Sequence, residues 1–179
     1  MVRVALDGMG GDYAPQVVVE GAVMAANDFD HLEIVLVGQT AALKRELNKH
    51  KVLGGKIVLQ EASEVIGMGE SPVAALRRKK DSSIGVCIDL LKKKECAAAV
   101  SAGNTGAMVA ASTLNLGMLP GIKRPGIAIA TPTLHGMSVT TDVGANLNPS
   151  AFELFQYAIM ADVFAKSILK KKRPAIGLL

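Results

Sequence analysis

The segment Ser101-Ala102-Gly103-Asn104-Thr105-Gly106 combines the residue types best suited to chemistry in this chain. The apolar run Ala97–Val100 leads into it and an alanine-rich stretch follows, so glycines and small polar residues stand where a buried strand gives way to a helix. Backbone N–H groups at such a junction converge with the positive end of a helix, which favours phosphate or carboxylate oxygens. Asn104 and Thr105 would add side-chain hydrogen bonds. The alternative is a tight strand–helix turn in which Ser101, Gly103 and Gly106 serve packing alone.

Two further segments have the same form. Asp7-Gly8-Met9-Gly10-Gly11-Asp12 follows the apolar run Val2–Leu6, and Asp142-Val143-Gly144-Ala145-Asn146 follows Met137–Thr141. Gly10 and Gly11 allow close approach to an anion, and Asp7 and Asp12 bracket a loop at a strand's carboxyl end, where open α/β sheets place their ligands. Asp142 and Asn146 can orient neighbours or merely satisfy loop amides. The glycine spacing departs from the dinucleotide fingerprint, because Tyr13 occupies the place of the third glycine and no acid closes the second apolar run. No nucleophile elbow and no Ser-His or Cys-His pair at recognisable spacing is present. These residues therefore offer anion binding and positioning, with no covalent catalyst. Arg77, Arg78 and Lys79, with Lys80, follow another glycine-containing loop and can meet an anion, whereas Lys92–Lys94 and Lys170–Arg173 end expected helices, where cations complement the dipole.

The elements that must position these loops alternate between strand and helix length, the βαβ pattern of an α/β fold with a mainly parallel sheet. Val2–Leu6, Leu32–Val37, Lys56–Gln60 and Ala97–Val100 read as strands. Helices are expected from Val17 to about Asn27, from a Thr40 cap to about His50, from Ser83 to about Glu95, and through about Leu116 after Gly106. Gly67, Gly69 and Pro72 are expected in a loop. Ile127–Ala130 and Met137–Thr141 suit an antiparallel pair. Ser150-Ala151-Phe152-Glu153 is a capping box that starts a helix to about Lys170, and Ala175–Leu179 begins another strand.

Composition narrows the partners. At 179 residues the chain suits one α/β domain over 1–179. Half of it is hydrophobic, with mean hydropathy +0.33, so a sizeable core needs no disulfide. Net charge is +4 and the isoelectric point about 9.1, yet aromatic residues make up only 3% and tryptophan is missing, which argues against nucleic-acid binding through base stacking. Cys87 and Cys96 read as free thiols near the core. His31, His50 and His135 are scattered, so no metal site is expected. No apolar run spans a bilayer, and the N-terminus meets Asp7 too early for a signal peptide, which points to the cytoplasm.

Taken together these residues resemble the phosphate acyltransferase (PlsX) family of bacterial phospholipid synthesis. The resemblance rests on Val4 through Pro15, Glu70-Ser71-Pro72-Val73 with Ala75 through Ser83, Ser101 through Ala107, Asp142 through Asn146, Gln156 through Met160, and Gly177-Leu178-Leu179. It runs collinearly over the whole chain. Gly8 stands where the family usually has alanine, Thr140-Thr141 replace leucines, and Asn148 replaces an aspartate. The resemblance implies a three-layer α/β/α fold of the isocitrate dehydrogenase-like kind, and an N-terminal portion of a protein about as long again. It also implies transfer of a fatty acyl group from acyl carrier protein to inorganic phosphate, without a cofactor. Asn104 and Thr105 would act catalytically, with Gly10, Gly11, Ser101, Gly103, Gly106, Arg77, Arg78 and Lys79 binding substrate or phosphate, and Asp7, Asp12, Asp142 and Asn146 orienting the loops. Implied partners are acyl carrier protein, a second copy as homodimer, a downstream glycerol-3-phosphate acyltransferase, and a membrane surface met through the remaining part. A phosphotransacetylase-like enzyme using coenzyme A thioesters, a non-catalytic phosphate-binding domain and, third, a dehydrogenase remain as alternatives.

Overall fold

Alternation along the apolar runs builds the first layer of the fold. In the computed structural model, β1 (Val2–Asp7), β2 (Leu32–Gly38), β3 (Lys56–Glu61) and β4 (Ala98–Val100) form one parallel sheet in the order β3-β2-β1-β4. Ile34 and Leu36 of β2, with Leu6 of β1, face Val19, Ala22 and Ala26 of α1 (Gln16–Asp28) and Leu43 of α2 (Thr40–Leu47). Val35, Val37 and Ala5 face the opposite way, toward Cys87 and Leu90 of α4 (Ser83–Lys92). Period-two alternation in a strand covered on both faces produces this α/β/α sandwich. The structure describes residues 1–144, 146 and 148–179, so Ala145 of the third motif lies outside the described residues. They form two compact units, Met1–Gly117 and Met118–Leu179, where the sequence alone suggested one domain over 1–179.

The strand order follows from the crossovers. β1-α1-β2 and β2-α2-β3 step in one direction with their helices on one face. The connection from β3 through α3 (Pro72–Arg78) and α4 returns to the other side of β1, and α4 lies on the opposite face. Right-handed crossovers require that change of face when the direction reverses. The reversal falls between β1 and β4. α5 (Thr105–Leu116) leaves β4 there and packs Ala107 and Ala111 against Ala75 of α3 and Ile84 and Ile88 of α4.

Several sequence expectations need correction. Residues 72–78 form a helix where a loop was expected, because Pro72 at the first turn presets the helical φ and Ala75 finds a core to enter. Thr40 does not cap α2; Gln39 holds that position, and the Thr40 amide and hydroxyl both donate to Glu61. α2 ends at Leu47 and α4 at Lys92, short of the expected His50 and Glu95. Ala175–Leu179 adopts no strand, since a strand needs a hydrogen-bonded neighbour and none among the described residues pairs with it. The Lys170–Arg173 cluster follows α6 (Ala151–Ser167) rather than ending it, and Lys166 supplies the last-turn cation.

The second unit begins with an antiparallel hairpin of β5 (Ala128–Thr133) and β6 (Gly136–Thr141). Gly136 turns it at φ +106°, and the Thr133 hydroxyl donates to the Gly136 carbonyl. The expected capping box starts α6: the Ser150 hydroxyl accepts from the Glu153 amide and the Glu153 carboxylate accepts from the Ser150 amide. Glu153 also pairs with Arg124 at 3.1 Å, and the Gln156 side chain bonds the Gly121 carbonyl and the Lys123 amide. Among the described residues no helix is long and apolar enough to cross a membrane, and no group of three or more His, Cys, Asp or Glu side chains can hold a metal ion.

Candidate functional site

The crevice between β1 and β4 lies at the carboxyl ends of parallel strands and at the point where strand order reverses, the position at which open α/β sheets bind ligands. Residues 94 positions apart lock it. Asp7, fully buried at the end of β1, accepts from the Ser101 hydroxyl at 2.7 Å and from the Met9 amide at 3.1 Å. Ser101 Oγ in turn accepts from the Gly103 amide at 3.0 Å. Asp7 therefore orients both loops. Gly10 fits against this chain because it lacks a side chain: a Cβ there would lie 2.8 Å from the Gly103 nitrogen and 2.9 Å from Ser101 Oγ, and would also strike the Asp7 carboxylate. Gly11 turns the loop at φ +110° against Ala102.

Asn104 is the N-cap of α5, and its whole side chain is engaged. Oδ1 accepts from the Ala107 amide at 3.0 Å, while the two N–H groups of Nδ2 are shared among the carbonyls of Gly67, Met68 and Glu70 at 3.0 to 3.1 Å. Its chemistry is that of a clamp joining the residue 67–70 loop to the helix. Thr105 and Gly106 occupy the first turn of α5 and are exposed. Their amides have no carbonyl within the helix to receive them, and the helix dipole adds partial positive charge at the same place. Pro72 of α3 closes over Gly106, where an added Cβ would lie 3.4 Å from Pro72 Cβ and closer still to Cγ.

The basic cluster divides. Lys79 donates to Glu70 and, at 2.6 Å, to the Val65 carbonyl, and Arg78 reaches Glu70 at 3.4 Å. Glu70 also accepts from the Gly67 amide at 2.8 Å. These two cations hold the loop that Asn104 clamps, whereas Arg77 is exposed beside Lys80. Sequence reasoning missed Glu70 as an organiser. Its signal was a single acid, Glu70, standing seven to ten residues before the run of four cations Arg77 to Lys80. The Lys79 hydrogen bond, then the Gly67 amide, hold the Glu70 carboxyl below its ordinary value of 4.5, with partial burial opposing them and the Lys79 and Arg78 charges assisting. A depressed carboxyl contributes stability above its ordinary value and loses it as pH falls through the folded value. Protection factors for amide hydrogen exchange over residues 65–79 are therefore expected to fall selectively on acidification below about pH 4.5, and Glu70→Gln should lower them already at pH 7.

Asp12 lies exposed at the far end of its loop. In the second unit Asp142 takes φ +62° after β6, and its Oδ1 accepts from the Asn146 amide at 3.1 Å and side chain at 3.0 Å. Asn146 also donates to the Pro125 carbonyl. Asp142 thus satisfies a loop. Cys87 and Cys96 are buried free thiols, and burial, first, pushes both above the usual thiol value, so neither presents a thiolate.

Comparison with known proteins identifies the family and the fold. The family model for fatty acid synthesis protein matches residues 2–179. A phosphate acyltransferase of Geobacter sulfurreducens is 51% identical over 178 residues, 99% of this chain and 51% of that protein. Phosphate acyltransferases of Desulfitobacterium hafniense and Halothermothrix orenii are 47% and 44% identical over 100% and 99% of the chain, each match covering 53% of the relative. The chain thus spans about half the length of the curated relatives it matches. A phosphotransacetylase from Streptococcus pyogenes shares the fold with TM-score 0.68 and 19% identity, over 95% of this chain and 55% of that one. The EutD phosphotransacetylase from Staphylococcus aureus does so at 0.63 and 16%, over 93% and 53%.

Proposed function

The chain belongs to the fatty acid synthesis protein family, and on that premise we propose that it forms the phosphate-binding part of an acyltransferase. The reaction moves a fatty acyl group from acyl carrier protein to inorganic phosphate and yields acyl phosphate for phospholipid synthesis. The observation that carries this reading is the pair of open first-turn amides, Thr105 and Gly106, at the switch point between β1 and β4. Phosphate is anionic at neutral pH and is itself the nucleophile. One of its oxygens attacks the thioester carbonyl, the carbonyl oxygen takes up the negative charge, and collapse expels the carrier's thiolate. No activated side chain is required. Holding the anion in place supplies orientation, and each donor aimed at a developing oxyanion is worth about 3–4 kcal/mol.

The geometry supports the following roles. Thr105 and Gly106 hold phosphate; Asp7, Ser101, Gly103, Gly10 and Gly11 fix the two loops; Asn104, Arg78 and Lys79 position the helix start. Arg77 turns positive charge outward, toward an acidic carrier protein. A second copy of the chain, the downstream glycerol-3-phosphate acyltransferase and peripheral membrane contact complete the reading for the longer protein, on the strength of the family resemblance.

Thr105→Pro provides the test. Proline is well tolerated at the first helical position, and Asn104 already has the extended backbone, φ −61° and ψ 107°, that a residue before proline prefers. The substitution deletes one donor and leaves the helix. Titration with inorganic phosphate, followed by amide NMR shifts at Gly106 and Ala107, should show at least tenfold weaker binding with an unchanged melting temperature. In the longer protein, acyl phosphate trapped with hydroxylamine should fall in parallel. Unaltered phosphate binding in Thr105→Pro would remove the assignment.

A further inference from the structure

The two edges of the hairpin in the second unit are built differently. The Asp142 amide donates to the Ile127 carbonyl, which fixes the phase of the ladder. Backbone groups alternate along an antiparallel pair, so Ser138 and Thr140 also turn theirs toward β5, whereas Val139 and Thr141 turn theirs outward. On β5 the outward positions are Ala128, Ala130 and Pro132. Proline has no N–H to offer there and is one of the residues that blunt an exposed edge. β6 has neither a proline nor a charge from Gly136 to Thr141. Its outward amides and carbonyls have no strand partner among the described residues. One edge is finished and the other is open.

The open edge faces space of strand size. A cleft of about 640 Å³ lies between Ser138–Val143, α6 and residues 174–179. A strand layer takes about 160 Å³ per residue, from a rise of about 3.3 Å, a spacing of about 4.8 Å and a depth of about 10 Å, so the cleft has room for about four residues. α6 packs on β6 rather than on β5, and its Ala158, Ala161 and Ala165 line the cleft, leaving depth for the side chains of a strand. Charge selects no ionic ligand, because Asp142 and Asp162 share the lining with Lys171, and Asp162 pairs with Lys166 at 2.7 Å. Residues 174–179 already stand in the wall, so the chain that fills the cleft comes from elsewhere. The curated relatives are about twice as long as the stretch they share with this chain. We propose that β6 is an interior strand of the longer protein, and that a strand from its remaining part pairs with Val139 and Thr141 in this cleft. The inference rests on the hairpin and on the length of the relatives, and is independent of the acyltransferase reading.

Amide hydrogen exchange in this chain alone and in the longer protein tests the pairing. In the chain alone Val139 and Thr141 should exchange at close to intrinsic rates beside slower Ser138 and Thr140. In the longer protein Val139 and Thr141 should be protected at least ~100-fold more. Val139→Pro gives a second readout, because proline is tolerated on an edge strand and disruptive in an interior one. The melting temperature of this variant should stay within about 2 °C of wild type in the chain alone and fall by at least about 5 °C in the longer protein. Equally fast exchange of Val139 and Thr141 in both proteins would overturn the proposal, and so would equal shifts for Val139→Pro. Protection already present in the chain alone would do the same: it assigns the edge to a second copy if it rises with concentration, and to residues 174–179 if it does not. Phosphate titration at Gly106 reports separately on the acyltransferase reading, so the two fail independently.

Discussion

Asn104→Asp should destabilise the first unit more than Asn104→Ala, although aspartate and asparagine are about equally good helix N-caps. The alanine variant loses the bond to the Ala107 amide and both Nδ2 N–H groups, which three carbonyls share. Gly67 and Met68 are exposed, so water can reach their carbonyls, and the expected cost is about 2–3 kcal/mol. The aspartate variant keeps the Ala107 bond but sets a carboxylate oxygen against three carbonyl oxygens, at a position only 7% exposed. A buried charge without a counter-charge costs more, about 4 kcal/mol. Its folded pKa must therefore rise, and the penalty is relieved as pH falls and the carboxyl protonates. Urea midpoints measured at pH 5 and pH 7.5 should show Asn104→Asp gaining stability on acidification relative to Asn104→Ala. The wild-type Glu70 contribution is constant over that range, because it is lost only below about pH 4.5.

That prediction shows where the sequence stops being informative. The position of Asn104 before a helix, after a strand, is legible from Ser101 through Gly106. The partners of its amide nitrogen are not, since they lie 34 to 37 residues earlier in the chain. Lys79 behaves alike. Four consecutive cations read as an anion site, whereas Glu70, nine residues back, consumes Lys79 and shares Arg78. The strands of the sheet were legible because continuous apolar runs of strand length leave few other uses. The Ser150–Glu153 box was legible because both of its bonds are local. α3 was not, because seven residues give too few turns for a periodic signal, and only Pro72 and the tertiary core at Ala75 make it a helix. The Asp7–Ser101 bond joins residues 94 apart and depends on strand order, which no local pattern contains.

Gly10→Ala is the substitution expected to separate the switch-point crevice from an ordinary loop. The Gly10 backbone is not left-handed, so alanine is not excluded by φ; the obstacle is space. The new methyl would meet the Gly103 nitrogen at 2.8 Å, Ser101 Oγ at 2.9 Å and the Asp7 carboxylate. None of the three can yield cheaply. Asp7 is fully buried with bonds to both loops, Ser101 is held between Asp7 and Gly103, and the Gly103 nitrogen is backbone. Overpacking typically costs about 1–3 kcal/mol, and here the upper end is expected, because relief breaks the Asp7–Ser101–Gly103 chain. Gly21→Ala is the matched control. Gly21 lies within α1 with nothing within 4 Å of an added Cβ, and the same change there should stabilise by about 0.5–1 kcal/mol. Gly10→Ala should also blunt the phosphate response at Gly106, since Gly103 leads directly into the start of α5, whereas Gly21→Ala should leave it intact. Identical chemistry with opposite signs of stability would show that the first loop is a wedge fitted to the second. Wild-type stability and phosphate binding in Gly10→Ala would show instead that the two loops can separate without loss, and the crevice would then owe nothing to Asp7.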